Sequence, residues 1–226
     1  MNNEAVVIPV GSHVHVSGVL TVREGPSRER GVILAHGANN DMNHPLLAFF
    51  AEGLADCGCV VLRFNFLYRE KGKQSIDSQE VLDLTWQSAY HFLASHPVYH
   101  PKEIVGAGKS LGGRIASQSV AAGTLPVERL IFLGYPLHAP GKTDKLRDQH
   151  LYDIKIPMLF FAGTKDPFAD LGQLQPVLSR LSVPWELVTI EGGDHSFHVP
   201  RAVAVGQQEI YESMLRKICD WLATKF

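Results

Sequence analysis

The sequence has no excess of charge of either sign. Its 21 basic and 23 acidic residues leave a formal net charge of -2 at pH 7. Proteins that bind nucleic acid or an anionic membrane normally carry a basic patch, because their partner presents many phosphates. We therefore expect neither a nucleic acid nor a membrane as partner, and instead a small molecule.

Cysteines and long apolar runs are also scarce. The three cysteines, Cys57, Cys59 and Cys219, are odd in number and do not resemble a disulfide framework, so we expect reduced thiols with structural roles. No stretch approaches the roughly 20 apolar residues that span a bilayer. The apolar run from Ala5 is broken by Pro9 and lacks the basic flank of a secretion signal. These absences favour a cytoplasmic protein.

What the sequence does contain is an alternation of short strands and amphipathic helices. Apolar, β-branched runs predict buried strands at Val32–Ala35, Val60–Phe64, Ile104–Ala107, Leu130–Leu133, Met158–Ala162 and Leu187–Ile190. Apolar residues spaced by three and four predict helices around Leu47–Leu54, Leu82–Leu93 and Ile210–Trp221. Such alternation indicates an α/β fold, a three-layer sandwich with a mostly parallel sheet.

The remaining segments and the length of the chain predict one domain with an open site. Two further strands, Ala5–Val10 and His13–Val22, predict a short antiparallel start at the sheet edge. With 226 residues, 45% of them hydrophobic, we expect a single domain over residues 1–226. Tyr68–Gln74 is charged and predicts a solvated loop. Tyr135–Lys155 has room for only one or two helical turns, so no large lid is expected.

The strongest motif follows the third buried run after the N-terminal strands. Gly108-Lys109-Ser110-Leu111-Gly112 matches G-x-S-x-G between a strand and the helical pattern Ile115–Ala122. In such a tight turn the serine adopts strained backbone angles and exposes its hydroxyl, and flanking glycines avoid collisions. Ser110 is therefore the candidate nucleophile, and the Leu111 amide at the start of the helix can face a developing oxyanion.

A phosphate-binding loop is the competing interpretation of the same residues, because they include the Gly-Lys-Ser end of G-x-x-x-x-G-K-[ST]. That motif needs a glycine five positions before Gly108, and the residue there is Glu103. The register therefore disfavours nucleotide binding.

A serine needs a base and an orienting acid, and both follow in the order Ser, Asp, His. Asp166 comes just after the strand Met158–Ala162, and His195 follows the last predicted strand. Both lie at the carboxyl edge of a parallel sheet, where sites form. The competitors are His198 for the base, and for the acid two aspartates: Asp170, at the start of a following helix, and Asp194, adjacent to the histidine.

The loop after the first central strand supplies the second candidate oxyanion donor. There the strand runs into His36-Gly37-Ala38-Asn39-Asn40. We predict the Ala38 amide as the donor, and His36 as a structural residue that fixes the loop. The alternative is an ordinary turn rich in Asn, because Asn tolerates turn conformations.

Four further residues are candidates for contact with substrate. Asn39 lies in the oxyanion loop, and Tyr135 and His138 follow a strand at the active edge. Lys109 either favours anionic substrates or packs beneath the serine. His13 and His15 share one strand face, but no third ligand accompanies them.

The motifs together resemble the α/β-hydrolase superfamily, and within it the lidless dienelactone-hydrolase-like group. The resemblance covers Val32 to the C-terminus, including His36–Ala38, the Arg63–Phe66 run and the motifs around the three predicted catalytic residues. A nearer likeness is to the α/β-hydrolase-like family of testis-expressed proteins and their bacterial relatives, through Tyr135–His138, Lys145–Asp148 and Asp41–Asn43. That family implies the fold and a triad, but no substrate. Dienelactone hydrolases carry cysteine where this chain has Ser110, so their specific reaction does not carry over.

The sequence thus predicts a serine hydrolase that acts on small or exposed ester-like acyl substrates through Ser110, His195 and Asp166, with no cofactor and no metal. Two alternatives stay open. A non-catalytic hydrolase-like protein would bind a ligand or partner with a vestigial site, and a thioesterase or peptidase would use the same three residues.

Overall fold

The fold is built on one mixed β-sheet. In the computed structural model, residues 1–23, 29–200 and 206–225 are described. Within them the sheet has eight strands: β1 (Asn2–Val10), β2 (Val14–Val22), β3 (Arg30–Ala35), β4 (Val60–Phe64), β5 (Glu103–Lys109), β6 (Arg129–Leu133), β7 (Met158–Gly163) and β8 (Trp185–Ile190). Every predicted strand is present, with ends that differ by a few residues. One domain over residues 1–226 stays a prediction, because 24–28, 201–205 and 226 lie outside the described residues.

The strand order is β1-β2-β4-β3-β5-β6-β7-β8. β1 and β2 are antiparallel, and β2 joins β4 in antiparallel register. All other neighbouring strands are parallel. The predicted antiparallel start and parallel remainder are therefore confirmed. The carboxyl ends of the parallel strands meet at one edge, which is where the candidate site lies.

Helices cover both faces of the sheet. They are α1 (Pro45–Asp56), α2 (Leu67–Glu70), α3 (Gln79–Ala94), α4 (Leu111–Ala121), α5 (Leu171–Ser179) and α6 (Gln207–Ala223). α1 and α6 pack on one face, whereas α3, α4 and α5 pack on the other. Alternate strand residues serve the two cores: Val32 faces α1 and α6, whereas Ile33 faces the opposite layer. The three-layer α/β sandwich is confirmed.

The segment between β6 and β7 holds only a short 3₁₀ helix, Gln149–Asp153. This agrees with the expectation of no large lid. The expected solvated loop at Tyr68–Gln74 is wrong in its first part, because α2 includes Tyr68, whose side chain is fully buried. The charged residues Lys71 and Lys73 made the whole segment resemble a solvated loop. Its first residue, Tyr68, and the preceding Leu67 instead pack into the core. No described helix is long and apolar enough to cross a membrane.

A disulfide corrects the expectation for the cysteines. Cys57, which ends α1, is bonded to Cys219 in α6, 162 residues later. Cys59 is free and buried, and burial raises its thiol pKa to about 11. Reduced thiols are thus wrong for the first pair and right for Cys59. The expected cytoplasmic location stays a prediction, and the disulfide counts against it because disulfides persist chiefly in oxidising compartments.

Breaking the Cys57–Cys219 bond should lower stability by about 2–5 kcal/mol, because the bond closes a long loop in the unfolded chain. Thermal unfolding with and without reductant measures this. A variant with both residues replaced by serine should unfold at the reduced wild-type temperature in either buffer, whereas Cys59→Ala should keep the dependence on reductant. An identical unfolding temperature for wild type in both buffers would contradict the prediction.

Candidate active site

Ser110 forms the turn between β5 and α4. β5 ends at Lys109 and α4 begins at Leu111, so the turn has a single residue. Ser110 has φ 50° and ψ -113°, in a region that residues with a Cβ seldom occupy. Such strain persists only where the surroundings hold it. The predicted strand-turn-helix geometry is present, and the serine projects at the carboxyl edge of the sheet.

The glycines beside Ser110 allow close approach of backbone to backbone. A Cβ on Gly108 would collide with the backbone nitrogen of Gly113. A Cβ on Gly112 would lie 2.7 Å from the carbonyl oxygens of Ala35 and His36. These contacts bring the first turn of α4 against both its own strand and the end of β3. The spacing of glycines in the motif therefore follows from packing.

Two histidine contacts link Ser110 to Asp166. The hydroxyl of Ser110 donates to His195 Nε2 over 2.8 Å, and His195 Nδ1–H donates to Asp166 Oδ2 over 2.7 Å. The Asp166 side chain is fully buried, whereas 18% of the His195 side chain is exposed. We assign the Nδ1–H tautomer because the carboxylate can only accept. The structure thus brings together the three residues predicted as nucleophile, base and acid.

The competing residues are engaged elsewhere. Asp170 caps α5 by accepting from the Gly172 amide at 2.7 Å. The Asp194 carboxylate accepts from the amides of Ser196 and His198 at 2.7 and 2.9 Å. His198 is exposed and lies 3.4 Å from Asp194. None of these side chains lies between Ser110 and Asp166, so the geometry favours His195 and Asp166.

Phe168 completes the surroundings of the imidazole and was missed in the sequence. Its amide donates to Asp166 Oδ1 over 2.8 Å, so both carboxylate oxygens are engaged. Its ring lies against the imidazole of His195, with centroids 4.4 Å apart. This contact limits rotation of the imidazole. An aromatic residue two positions after the acid is a signal that sequence reasoning could have used.

The loop after β3 is fixed from both ends. His36 Nδ1 donates to the Gly37 carbonyl at 2.8 Å, and its Nε2 accepts from the Phe66 amide at 3.1 Å. Burial lowers the pKa of His36 to about 4, so the ring stays neutral. The Tyr68 hydroxyl donates to the Ala38 carbonyl at 2.8 Å. The predicted structural role of His36 is present, and Tyr68 is a second fixing residue that the loop expectation missed.

This loop faces the nucleophile. A Cβ on Gly37 would lie 3.6 Å from the Ser110 Cβ, which places the loop at Gly37, the residue before Ala38, beside the serine. Among the described residues, the Ala38 and Leu111 amides donate to no acceptor. Two N–H groups without an acceptor thus lie in the two segments next to Ser110, as the predicted oxyanion hole needs.

Two of the four substrate candidates are interior residues. Lys109 is 2% exposed, so the structure favours the alternative that it packs beneath Ser110. Tyr135 is 1% exposed and its hydroxyl donates to the Arg147 carbonyl at 2.6 Å. The burial of Tyr135 counts against its predicted place in the pocket lining, whereas for Lys109 packing beneath the serine was one of the two alternatives. The position of these two residues at the end of a strand predicted the correct edge of the sheet, but it did not predict that their side chains are buried.

The other two candidates differ in exposure. Asn39 is exposed in the loop after β3, and its contact with substrate stays a prediction. His138 is buried, with Nδ1 donating to the Ala139 carbonyl and Nε2 accepting from the Asp170 amide. Its ring borders a cavity of about 520 Å³ beside Asp166, whose lining also includes Thr143, Thr164, Pro167 and Leu171. Two smaller cavities, of about 340 and 210 Å³, lie away from Ser110.

Within the described residues, no three His, Cys, Asp or Glu side chains are placed to hold a metal ion. His13 and His15 accordingly have no third ligand there. The groups that the structure brings together at this edge are a serine hydroxyl, an imidazole, a carboxylate and two backbone amides.

The chain is similar to known proteins over nearly its whole length. Residues 28–223 match the profile of a family described as "Alpha/beta hydrolase domain". A dienelactone hydrolase from Anabaena variabilis superposes with a TM-score of 0.77 at 23% identity, over 98% of this chain and 96% of that one. An alpha-beta serine hydrolase homologue from Coxiella burnetii gives 0.77 at 21% identity, over 99% of both chains. A serine hydrolase without a lid from Xanthomonas campestris gives 0.74 at 19%, over 100% and 98%.

Proposed function

Because the chain belongs to the α/β-hydrolase domain family, we propose that it is a serine hydrolase that cleaves small or exposed ester-like acyl substrates by way of an acyl-enzyme. The predicted resemblance to lidless dienelactone-hydrolase-like proteins is confirmed, whereas the nearer resemblance to testis-expressed proteins stays a prediction. The observation that carries the proposal is the hydrogen-bonded chain from Ser110 through His195 to Asp166, with distances of 2.8 and 2.7 Å.

Acylation begins when Ser110 Oγ attacks the ester carbonyl carbon and His195 Nε2 takes the hydroxyl proton. The amides of Ala38 and Leu111 stabilise the oxyanion of the tetrahedral intermediate. As the bond to the leaving group breaks, His195 returns the proton to that group. Asp166 keeps the imidazole in the Nδ1–H tautomer and stabilises its cation.

Deacylation repeats the sequence with water. His195 takes a proton from the water that attacks the acyl carbon, and then returns a proton to Ser110 as the carboxylic acid leaves. These steps need no cofactor. The short connection between β6 and β7 supports small or exposed acyl groups as substrates, since only the 3₁₀ helix Gln149–Asp153 stands where a lid would be.

A non-catalytic binding protein is the rival. It has no need of a serine held at φ 50°, nor of two donors without acceptors beside it. These costly features favour the catalytic proposal.

A fluorophosphonate probe tests the proposal directly, because it bonds only to an activated serine. We expect wild type to be labelled at Ser110 and Ser110→Ala to stay unlabelled. Ser196→Ala removes a hydroxyl from the loop that carries His195 and should label like wild type. Folded wild-type protein that takes up no probe would overturn the proposal. A panel of short acyl esters, thioesters and aminoacyl amides then assigns the substrate class.

A further inference from the structure

A buried lysine lies beneath the triad. Lys109 is the last residue of β5 and directly precedes Ser110. Only 2% of the residue is exposed. Its stem passes the oxyanion loop, since a Cβ on Gly37 would lie 3.6 Å from the Lys109 Cγ. The mechanism above does not use this amine.

The ammonium ends close to the imidazole. A Cβ on Gly134 would lie 3.3 Å from Lys109 Nζ and 3.4 Å from His195 Nδ1, so the two nitrogens are within about 7 Å of each other. Nζ also lies 5.9 Å from the centroid of the Phe197 ring. Among the described residues it makes neither a hydrogen bond nor an ion pair within 4 Å. Its charge therefore acts on neighbouring groups without direct contact, in surroundings that are largely shielded from solvent.

Charged groups face Lys109 from three elements. Asp166 follows β7, and Asp194 follows β8; both carboxylates attract the ammonium. His44, at the start of α1, is repelled by it and itself faces Asp41 and His198. Burial lowers the pKa of Lys109 to about 8, and the two carboxylates partly offset that. At neutral pH the side chain is thus mainly charged.

A fixed cation beside an imidazole disfavours its protonation. A serine hydrolase loses activity in acid when its histidine is protonated, because the ring can then no longer accept the serine proton. We infer that Lys109 is a positioning residue whose ammonium keeps His195 in its basic form and so extends hydrolysis to lower pH. This inference rests on the proposed function.

The pH dependence of kcat/KM for 4-nitrophenyl acetate tests the inference. In Lys109→Met the midpoint of the acidic limb should rise by about one pH unit, the effect of one charge at this distance in an intermediate dielectric. Lys109→Arg keeps the charge and should stay near wild type. Lys165→Met removes an exposed lysine next to Asp166 and should also leave the midpoint unchanged, because solvent screens it.

A merely structural role gives a different result. It would lower the unfolding temperature of Lys109→Met, and kcat at every pH, while the acidic midpoint stayed in place; that outcome overturns the inference. Should Lys109→Met not fold, Lys109→Gln removes the same charge with a shorter, polar side chain.

Titration of the His195 ring by NMR separates this inference from the proposed function, since it requires no turnover. The ring signal is assigned by its loss in His195→Gln. We expect its midpoint to rise in Lys109→Met, and equal midpoints in variant and wild type would overturn the inference. If wild type neither hydrolyses the ester nor takes up the fluorophosphonate, the proposed function fails, whereas the titration still decides whether Lys109 acts on His195.

Discussion

Replacing Asp166 by asparagine should lower kcat for ester hydrolysis about 10⁴-fold while the protein stays folded. The carboxylate accepts from His195 Nδ1–H at 2.7 Å and from the Phe168 amide at 2.8 Å. The Phe168 amide favours an oxygen at Oδ1, so the asparagine NH₂ would occupy the Oδ2 position and face Nδ1. The imidazole must then accept at Nδ1 and carry its proton on Nε2, where it can no longer take the proton of Ser110.

Asp170→Asn is the matched control for this change. Asp170 lies four residues later and caps α5, a role that asparagine fills equally well. Its kcat should therefore stay near wild type. Circular dichroism and kcat measured on both variants make the comparison. Similar kcat values for the two variants would show that Asp166 is not the orienting acid.

The arrangement of the site was predictable because it depends on local sequence and on strand order. The turn at Ser110 requires glycines at fixed offsets, and the carboxyl ends of neighbouring parallel strands meet at one edge. Asp166 and His195 each follow a strand, so their meeting follows from topology, and the distances agree. His36 was correctly interpreted as a structural residue and not as an acid or base. Its ring fixes the loop after β3 through the Gly37 carbonyl and the Phe66 amide.

The contacts that were missed depend on packing between segments distant in the chain. Cys57 and Cys219 are 162 residues apart, and only the placement of α1 and α6 on one face brings them together. Tyr68 lies in a charged segment, yet its ring packs inward and its hydroxyl reaches Ala38. The sequence left burial of Lys109 as one of two alternatives. The buried position uses the space beside Gly134, the glycine that follows β6, and the sequence does not indicate that space.

The tight approach of α4 to β3 makes Gly112 the position where one methyl group should do most harm. In Gly112→Ala the new Cβ would lie 2.7 Å from the carbonyl oxygens of Ala35 and His36. These are backbone atoms of a buried strand and its loop, so they cannot turn away as a side chain can. We expect a loss of about 3 kcal/mol in stability, the upper end of the usual cost of overpacking.

Activity should fall as well, because the same contact sets the distance between the two proposed oxyanion donors. Relief of the clash moves α4, with its Leu111 amide, away from the loop that carries Ala38, and a shift of about 1 Å in such a site costs about 10²-fold in kcat.

Gly106→Ala, in the strand that leads to Ser110, is the control. Its Cβ would lie 3.1 Å from Leu130 Cδ2, the end of a side chain that can move, so stability should change by no more than about 1 kcal/mol and kcat should be kept. Chemical denaturation and kcat for both variants test this; a Gly112→Ala protein as stable and as active as Gly106→Ala would show that the helix does not set the oxyanion hole.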